Sequence, residues 1–198
     1  AHEHSLSDVE GLSRQPHCGH SFCPQAPNHD HVGHLGYCLQ YLIDDHRHVS
    51  APKHLARIVV GVDPAVTGSE TSDETGIVVV GKDAAGHLYV LGDYSVRGTP
   101  LDWARQVAWA VDKHGADRVV GEVNNGGDLV EVNLRTVSKN LPFKKVTASR
   151  GKYIRAEPVA ALYEKGEVHH VGAFPELEGQ RCEWIPGDES PDRMDALV

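Results

Sequence analysis

The feature that most constrains this chain is a short apolar run that ends on a carboxylate and a proline, Arg57-Ile58-Val59-Val60-Gly61-Val62-Asp63-Pro64. A nearly continuous apolar run of this length is typical of a central strand whose two faces are both covered. Because proline has no amide hydrogen to donate, we expect strand pairing to stop at Asp63. The carboxylate of Asp63 is then either a structural cap on the next turn or a ligand for a metal ion.

The pattern after residue 57 predicts a mixed α/β domain. Strand-like apolar runs occur at 57–62, 76–80, 87–94, 118–123 and 143–148. Helices are predicted at 99–115, 128–139, 158–165 and after residue 190, with a short strand at 167–171. The turns between the first three strands make them antiparallel neighbours. We therefore predict a ribonuclease-H-like fold with a mixed five-stranded sheet, in which three antiparallel strands are followed by parallel strands and helices flank the sheet.

Residues 1–38 differ from the rest of the chain because they are rich in histidine and carry three of the four cysteines. Cys18, Cys23 and Cys38, with histidines between them, suggest zinc binding, but their spacing matches no closed four-ligand pattern. We interpret this segment as an irregular leader, disordered or incomplete. We interpret residues 39–56 as a short helix and a linker, and residues 57–198 as the folded domain. Because the chain starts without Met and stops inside a predicted helix, we expect a fragment truncated at its C-terminus.

Composition and charge exclude several classes of function. The formal net charge of -9 argues against a protein that coats nucleic acid indiscriminately, but it allows a local basic groove and an acidic cation site. No apolar run approaches the ~18 residues of a membrane span. No GxxxxGK[ST] phosphate loop occurs, so ATP hydrolysis is not encoded. The cysteines form no disulfide framework, which fits a reducing, cytosolic setting.

A second acid lies at the end of a later predicted strand. Glu122 closes the run at 118–123, and a strand there that runs parallel to the first would bring Glu122 beside Asp63 at the carboxyl edge of the sheet. A glutamate in an apolar strand is costly to bury without a partner. Glu122 is therefore either a metal ligand or one half of a salt bridge to Arg118 or Lys152.

A third acidic position lies in the final predicted helix, where Asp192 and Asp195 are three residues apart and share a face. Asp192 also suits an ordinary first helical turn, whereas Asp195 is flanked by apolar residues and should point toward the sheet edge. Carboxylates that converge from Asp63, Glu122, Asp195 and Asp192 suit Mg²⁺ or Mn²⁺, which prefer oxygen ligands. Two such ions, about 3.5–4 Å apart, are an arrangement that activates water for attack on a phosphodiester.

A basic stretch suggests the substrate. Residues 139–155 contain no acid and carry Lys139, Lys144, Lys145, Arg150, Lys152 and Arg155. In an acidic chain, a basic stripe near a carboxylate cluster is the pattern expected for contact with a nucleic-acid backbone. The alternative is an ordinary solvated surface. The candidate DNA contacts are Arg150, Lys152, Arg155, Lys144 and Lys145, with Lys152 and Arg155 preferred because they lie at the entry to a helix.

Several segments, in this order, resemble the nuclease domain of phage large terminase subunits. They are 57–65, Ser72-Asp73-Glu74-Thr75-Gly76-Ile77, 121–128, 148–152 and 190–197. The resemblance covers about residues 39–198. It implies a ribonuclease-H-like endonuclease that cuts concatemeric DNA during genome packaging with Mg²⁺ or Mn²⁺. It also implies that Asp63, Glu122 and Asp195 are the catalytic metal ligands, with Asp192 in an accessory position.

The resemblance also implies partners and a location. Double-stranded DNA would be the substrate, and a packaging ATPase domain, a small terminase subunit and a portal would complete the system. The family carries the ATPase domain ahead of the nuclease, and residues 1–38 are too short to form it, which supports the interpretation as a fragment. The expected location is the cytoplasm of the bacterial host.

Two other functions stay open on the sequence. A Holliday-junction resolvase shares this fold and a late Asp-x-x-Asp pair, and a strong preference for four-way junctions would support it. A non-catalytic DNA-binding or motor-docking module would use the acids structurally, and it would show no metal-dependent change in melting temperature.

Overall fold

The computed structural model describes residues 39–64, 74–122, 127–147, 152–184 and 191–198, without the side chains of Leu39, Glu122, Asp128, Lys152 and Tyr153. The predicted leader, residues 1–38, lies outside the described residues. The strands are β1 (Arg57–Asp63), β2 (Gly76–Lys82), β3 (Leu88–Asp93), β4 (Arg118–Glu122), β5 (Phe143–Val146) and β6 (Val168–His170). The helices are α1 (Leu39–Asp45), α2 (Pro100–His114), α3 (Gly127–Val137), α4 (Lys152–Glu164), α5 (Pro175–Glu183) and α6 (Asp192–Leu197). None of the described helices is long and apolar enough to cross a bilayer.

The strands form one mixed sheet in the order β5-β4-β1-β2-β3-β6. Strands β1, β2 and β3 pair antiparallel, whereas β4 is parallel to β1 and β5 is parallel to β4. This confirms the predicted α/β sheet of antiparallel strands followed by parallel ones, and β1 ends at Asp63 as predicted. The predicted count of five strands is wrong, because β6 pairs parallel with β3 and makes a sixth. The short strand predicted at 167–171 contains β6, but its place in the sheet was not predicted because its partner, β3, lies far away in the sequence.

Helices cover both faces of the sheet and create two cores. Val60 and Val62 of β1 pack with α2 and α3 on one face. Val78 and Val90 pack with α1, α4 and α5 on the other face, where α6 also lies. Because side chains alternate along a strand, a strand covered on both faces must be apolar at successive positions. The composition of β1 follows from this two-sided burial.

Helix α2 begins and ends where its sequence predicts. Thr99 forms a capping box with Asp102: the Asp102 amide donates to the Thr99 hydroxyl, and the Thr99 amide donates to the Asp102 carboxylate over 3.0 Å. Pro100 occupies the first turn, and Gly115 ends the helix in the left-handed region at φ 59°. These local signals fix the helix that supports one face of β1.

Helix α6 lies directly on the backbone of the sheet. A methyl group added at Gly61 of β1 would come within 2.0 Å of the Ala196 carbonyl oxygen, and one added at Gly76 of β2 would come within 2.0 Å of the Asp192 carbonyl oxygen. Side chains at these two positions would push the helix away. The absence of a Cβ at Gly61 and Gly76 therefore brings α6 against the carboxyl end of β1.

Helix α5, which the sequence did not predict, carries one end of a buried chain of polar groups. Glu178 accepts hydrogen bonds from the Arg47 guanidinium over 2.7 and 3.0 Å, and its Oε1 lies 2.9 Å from His170 Nδ1. His170 Nε2 lies 2.7 Å from the Tyr163 hydroxyl. Burial raises the pKa of Tyr163 and lowers the pKa of His170, so a neutral His170 donates to Glu178 and accepts from Tyr163. Burial opposes ionisation of Glu178, but the hydrogen bonds from His170 and Arg47 outweigh it and hold the Glu178 pKa far below its ordinary value.

We expect Gly61→Ala to lower the free energy of unfolding by about 1–3 kcal/mol, because the added methyl group meets the Ala196 backbone and no flexible side chain can move aside. Urea unfolding measures the effect. The matched control is Gly179→Ala in α5, where nothing lies within 4 Å of the added methyl group. This control should be neutral or stabilising by up to about 1 kcal/mol, because alanine favours a helix. Equal effects of the two substitutions would contradict the close contact of α6.

We expect Glu178→Gln to remove an acid-sensitive part of the stability. Because the folded-state pKa of Glu178 is lowered, its contribution is complete above the unfolded pKa of 4.5 and is lost as the pH falls below it. The variant should lose about 3 kcal/mol of unfolding free energy at neutral pH and show a flatter decline in acid, measured by urea unfolding across pH. Glu131→Gln, in an ion pair with Arg135 and Lys145, is the control and should change neutral-pH stability little. If the unfolding free energy of Glu178→Gln fell as steeply in acid as that of the unsubstituted protein, Glu178 would not be the source of the acid-sensitive stability.

Candidate functional site

A cleft of about 410 Å³ opens where β1, β4, β5, α4 and α6 meet. Its apolar wall is formed by valines of the sheet: Val59, Val62, Val80, Val120 and Val146. The charged side chains among its described lining residues are Asp63, Arg155 and Asp195, which come from a strand and two helices far apart in sequence. A small group of charged side chains against an apolar wall is the arrangement of a binding site rather than of an ordinary surface.

Asp63 reaches the cleft as the last residue of β1. Side chains alternate along a strand, so Asp63 shares a face with Val59 and Gly61, the face on which α6 lies. Pairing with β2 extends to Asp63 itself, opposite Gly76. The carboxylate is therefore carried by a backbone that pairs with β2 and directly follows Val62, which pairs with β4, and this makes its position rigid.

Asp195 reaches the same cleft from α6. Its backbone amide donates to the Pro191 carbonyl over 3.1 Å, and the preceding Met194 is 4% exposed, so this turn of the helix is anchored by packing. Asp192, the predicted accessory ligand, lies one turn earlier with its carbonyl oxygen next to Gly76. Asp192 is not among the described residues that line the cleft.

Glu122 is placed only by its backbone. Val62 of β1 lies opposite Gly121 of β4, so Asp63 and Glu122 follow as the next residues of two parallel neighbours. This is the side-by-side arrangement of strand ends that the sequence predicted. The Glu122 side chain lies outside the described residues, and its role as a ligand stays a prediction.

The predicted DNA contacts divide among different surroundings. Arg155 lines the cleft, and Lys144 is exposed on the edge strand β5. Lys145 lies 3.0 Å from a carboxylate oxygen of Glu131 and forms a salt bridge with it. Arg150 and the side chain of Lys152 lie outside the described residues. Among the predicted contacts whose side chains are described, Arg155 is therefore the one that lines the same cleft as the two acids.

One network of charged side chains near the cleft could not be predicted from the sequence. Arg193, between Asp192 and Asp195, donates from Nε and Nη2 to the two carboxylate oxygens of Glu74, both over 2.7 Å, and from Nη1 to Asp93 over 2.5 Å. Burial opposes its charge, but the hydrogen bonds to Glu74 and Asp93 raise the pKa of Arg193 above its ordinary value. Glu74 and Asp93 are 119 and 100 residues away in the chain, so no local pattern could reveal the contacts.

The donor atoms at the cleft suit a hard cation. Its described ligand-type side chains are carboxylates, with no histidine or cysteine among them, and oxygen-only sites favour Mg²⁺, Mn²⁺ or Ca²⁺. Within the described residues, no group of three or more His, Cys, Asp or Glu side chains is close enough together to hold an ion. Among the described residues, the cleft thus brings two carboxylates together, those of Asp63 and Asp195, and the backbone of Glu122 lies on the strand beside Asp63.

Solved structures with the same fold come from large terminases of thermophilic phages. The large terminase of one thermophilic bacteriophage has a TM-score of 0.57 at 15% identity, with 79% of this chain and 39% of that chain covered. The large terminase nuclease of a thermophilic phage named G20c has a TM-score of 0.55 at 16% identity, with coverages of 76% and 82%. The same G20c nuclease with bound cobalt has a TM-score of 0.58 at 12% identity, with coverages of 80% and 93%. The present chain thus spans about two fifths of the length of the first of these proteins.

A family model described as the terminase RNaseH-like domain matches residues 60–198. The match runs from β1 to the end of α6 and includes Asp63, Glu122 and Asp195. A comparison with curated protein sequences gives no match. The predicted ribonuclease-H-like fold and the resemblance to the nuclease domain of phage large terminases are both confirmed. The chain belongs to the family of terminase RNaseH-like domains.

Proposed function

We propose that this chain is a divalent-metal-dependent endonuclease domain that cuts concatemeric double-stranded DNA during phage genome packaging. The observation that carries the proposal is the meeting of Asp63 and Asp195 with Arg155 in one cleft, at the end of the central strand of a terminase RNaseH-like domain. Two acids and one arginine at an apolar wall provide sites for cations and for a phosphate group. The family match favours this function over a Holliday-junction resolvase.

Asp63, Glu122 and Asp195 are the proposed metal ligands, with Asp192 in an accessory position. Mg²⁺ or Mn²⁺, bound singly or as a pair, would supply Lewis acidity and activate a water molecule for phosphodiester hydrolysis. The metal-bound G20c nuclease structures, which contain cobalt, magnesium and zinc, support the use of a divalent ion by this fold. Magnesium or manganese as the working ion is part of the proposal.

The residues of the cleft have separable tasks. Asp63 holds a fixed position at the end of a paired strand, and Asp195 approaches it from a helix packed on Gly61 and Gly76. The valine wall lowers the local dielectric constant, so carboxylates and guanidinium act more strongly here than in bulk water. Arg155 provides a planar donor group suited to a phosphate oxygen.

The DNA path is proposed to leave the cleft along β5. Val146 and Thr147 line the cleft, and Lys144 is exposed on the same edge strand. Arg150, Lys152 and Lys145 complete the proposed basic contacts. Because the chain has a formal net charge of -9, DNA affinity has to come from this local group of cations, and it should fall steeply with salt.

The wider setting is also a proposal. The chain spans 39% of the thermophilic-phage large terminase that it matches, which supports a larger protein containing a packaging ATPase domain. A small terminase subunit and a portal are the further proposed partners, and the host cytoplasm is the proposed location.

We expect Mn²⁺ and Mg²⁺ to raise the melting temperature of the protein, and Asp63→Asn or Asp195→Asn to abolish most of this rise because each removes a charged ligand. Differential scanning calorimetry with and without metal measures the effect. Asp112→Asn is the control, because it removes an exposed acid from α2 on the other face of the sheet and should keep the full rise. Equal rises in all four proteins would show that the ion binds elsewhere.

We expect the protein to nick plasmid DNA in Mn²⁺ or Mg²⁺ and not in EDTA. Asp63→Ala and Asp195→Ala should reduce the rate more than about 100-fold, since loss of a direct ligand costs at least as much as loss of a group that only supports one. Gel quantification of nicked and linear DNA measures the rate, with Asp112→Asn again as the control. Metal-independent cleavage, or full activity in both alanine variants, would refute the proposed function.

A further inference from the structure

We propose that Arg193 is a positioning residue that anchors α6 to the ends of β2 and β3, and that its contacts with Glu74 and Asp93 thereby set the metal affinity of the cleft. The inference rests on the proposed function, because it takes Asp63 and Asp195 as metal ligands. Arg193 itself touches neither the metal nor the DNA in this scheme. It acts through the position of the helix that carries Asp195.

The contacts of Arg193 are strong and shielded. The guanidinium meets both carboxylate oxygens of Glu74 in a two-pronged pair and reaches Asp93 with its remaining nitrogen. The exposed fractions of the three side chains are 15%, 14% and 4% in that order. Ion pairs shielded from water in this way are geometrically specific, and loss of one member leaves buried charge without compensation.

The partners of Arg193 are themselves held by the sheet. Asp93 ends β3, and its Oδ1 accepts hydrogen bonds from the Ser95 amide and hydroxyl over 3.1 and 2.6 Å. The Ser95 hydroxyl oxygen in turn accepts from the Ile77 amide of β2 over 3.0 Å. Glu74 lies two residues before Gly76, on which α6 packs. Arg193 therefore connects the helix to the ends of two strands that flank the close contact.

Helix α6 depends on such an anchor because it is short. It spans six residues, and its N-cap residue, Pro191, makes no side-chain capping hydrogen bond. Isolated helices of this length are unstable in water, so tertiary contacts must hold it. Its contacts with Gly61 and Gly76 are van der Waals packing, which does not by itself fix the orientation of the helix. The hydrogen bonds of Arg193 are directional and therefore fix that orientation. A small tilt of α6 would move Asp195 relative to Asp63 and weaken any ion held between them.

Arg193 also occupies two neighbouring acids. Glu74 and Asp93 are carboxylates near the proposed metal ligands, and both are engaged by the guanidinium. Lysine at this position would keep the charge, but its single ammonium group cannot reproduce the planar fork. Arg193→Lys therefore separates geometry from charge.

The test compares Arg193→Lys with Arg47→Lys in the full chain. Arg47 is a matched control because it also bridges two acids, Glu178 and Asp44, but it lies in the core around α5 and outside the cleft. The first readout is hydrogen exchange of metal-free protein at the Asp195 and Val198 amides, which donate within the α6 turn. The second is Mn²⁺ affinity by titration calorimetry, and the third is the Mn²⁺ dependence of plasmid cleavage.

We expect Arg193→Lys to exchange these two amides at least about tenfold faster and to bind Mn²⁺ about 10–100-fold more weakly. At saturating Mn²⁺ its cleavage rate should be close to that of the parent, the protein without the substitution, because the proposed ligands themselves are unchanged. Arg47→Lys should match the parent in all three readouts even where its melting temperature falls. If Arg193→Lys fails to fold, Glu74→Gln, which keeps Arg193 and its contact with Asp93, replaces it with the same expectations.

The outcomes separate the two proposals. Unchanged α6 exchange in a folded Arg193→Lys would overturn the positioning role, whether or not the unsubstituted protein binds Mn²⁺. Unchanged Mn²⁺ affinity would overturn it where the unsubstituted protein does bind Mn²⁺. Equal weakening by Arg47→Lys would overturn it as well, because the effect would then be general destabilisation. A parent that binds no Mn²⁺, with faster α6 exchange in Arg193→Lys, would overturn the proposed function and the link to metal affinity while leaving Arg193 as the anchor of α6.

Discussion

The whole arrangement depends on one contact, in which the backbone of α6 lies against the backbone of the sheet. Gly61 and Gly76 permit it, since a Cβ at either position would overlap a carbonyl oxygen of the helix. Without that approach, Asp195 could not line the same cleft as Asp63. The two backbones are so close that neither can move aside to make room for an added side chain, as a flexible side chain could. Strand β1 is therefore constrained on one face by α2 and α3, on the other face by α6, and at its end by the position of the Asp63 carboxylate.

Charge is distributed around this contact so that each acid is supported in a different way. Glu74 and Asp93 are paired with Arg193, and Glu178, on α5, is paired with Arg47 and His170. These pairs are partly shielded from water and connect helices to the sheet. Asp63 and Asp195 instead line a cleft that a solute can enter. The structural acids thus hold the frame around the cleft that Asp63 and Asp195 line.

Local signals in the sequence predicted the elements whose stabilising contacts are local. The capping box at Thr99, the stop at Gly115 and the end of β1 before Pro64 all depend on neighbours within a few residues, and they lie where expected. Contacts between residues 80 or more apart in the chain form the pairing of β6 with β3, the Arg47–Glu178 pair of α5 and the Arg193 network, so no local pattern predicted them. The acidic positions were recognisable only because three apolar elements each end on or carry an acid. Their approach to one another is a property of the sheet order rather than of any one segment.

On the proposed function, the cleft must bring a polyanion to a group of carboxylates, and these repel each other. Arg155 supplies one positive charge against Asp63 and Asp195, so the described side chains of the cleft carry a net negative charge. A divalent ion reverses that balance, and phosphate oxygens could then complete its coordination shell. Metal and DNA would therefore bind with positive coupling, each raising the affinity for the other by the same factor. Since Asp195 reaches the cleft on a six-residue helix, the strength of that coupling is limited by how firmly Gly61, Gly76 and Arg193 hold α6 in place.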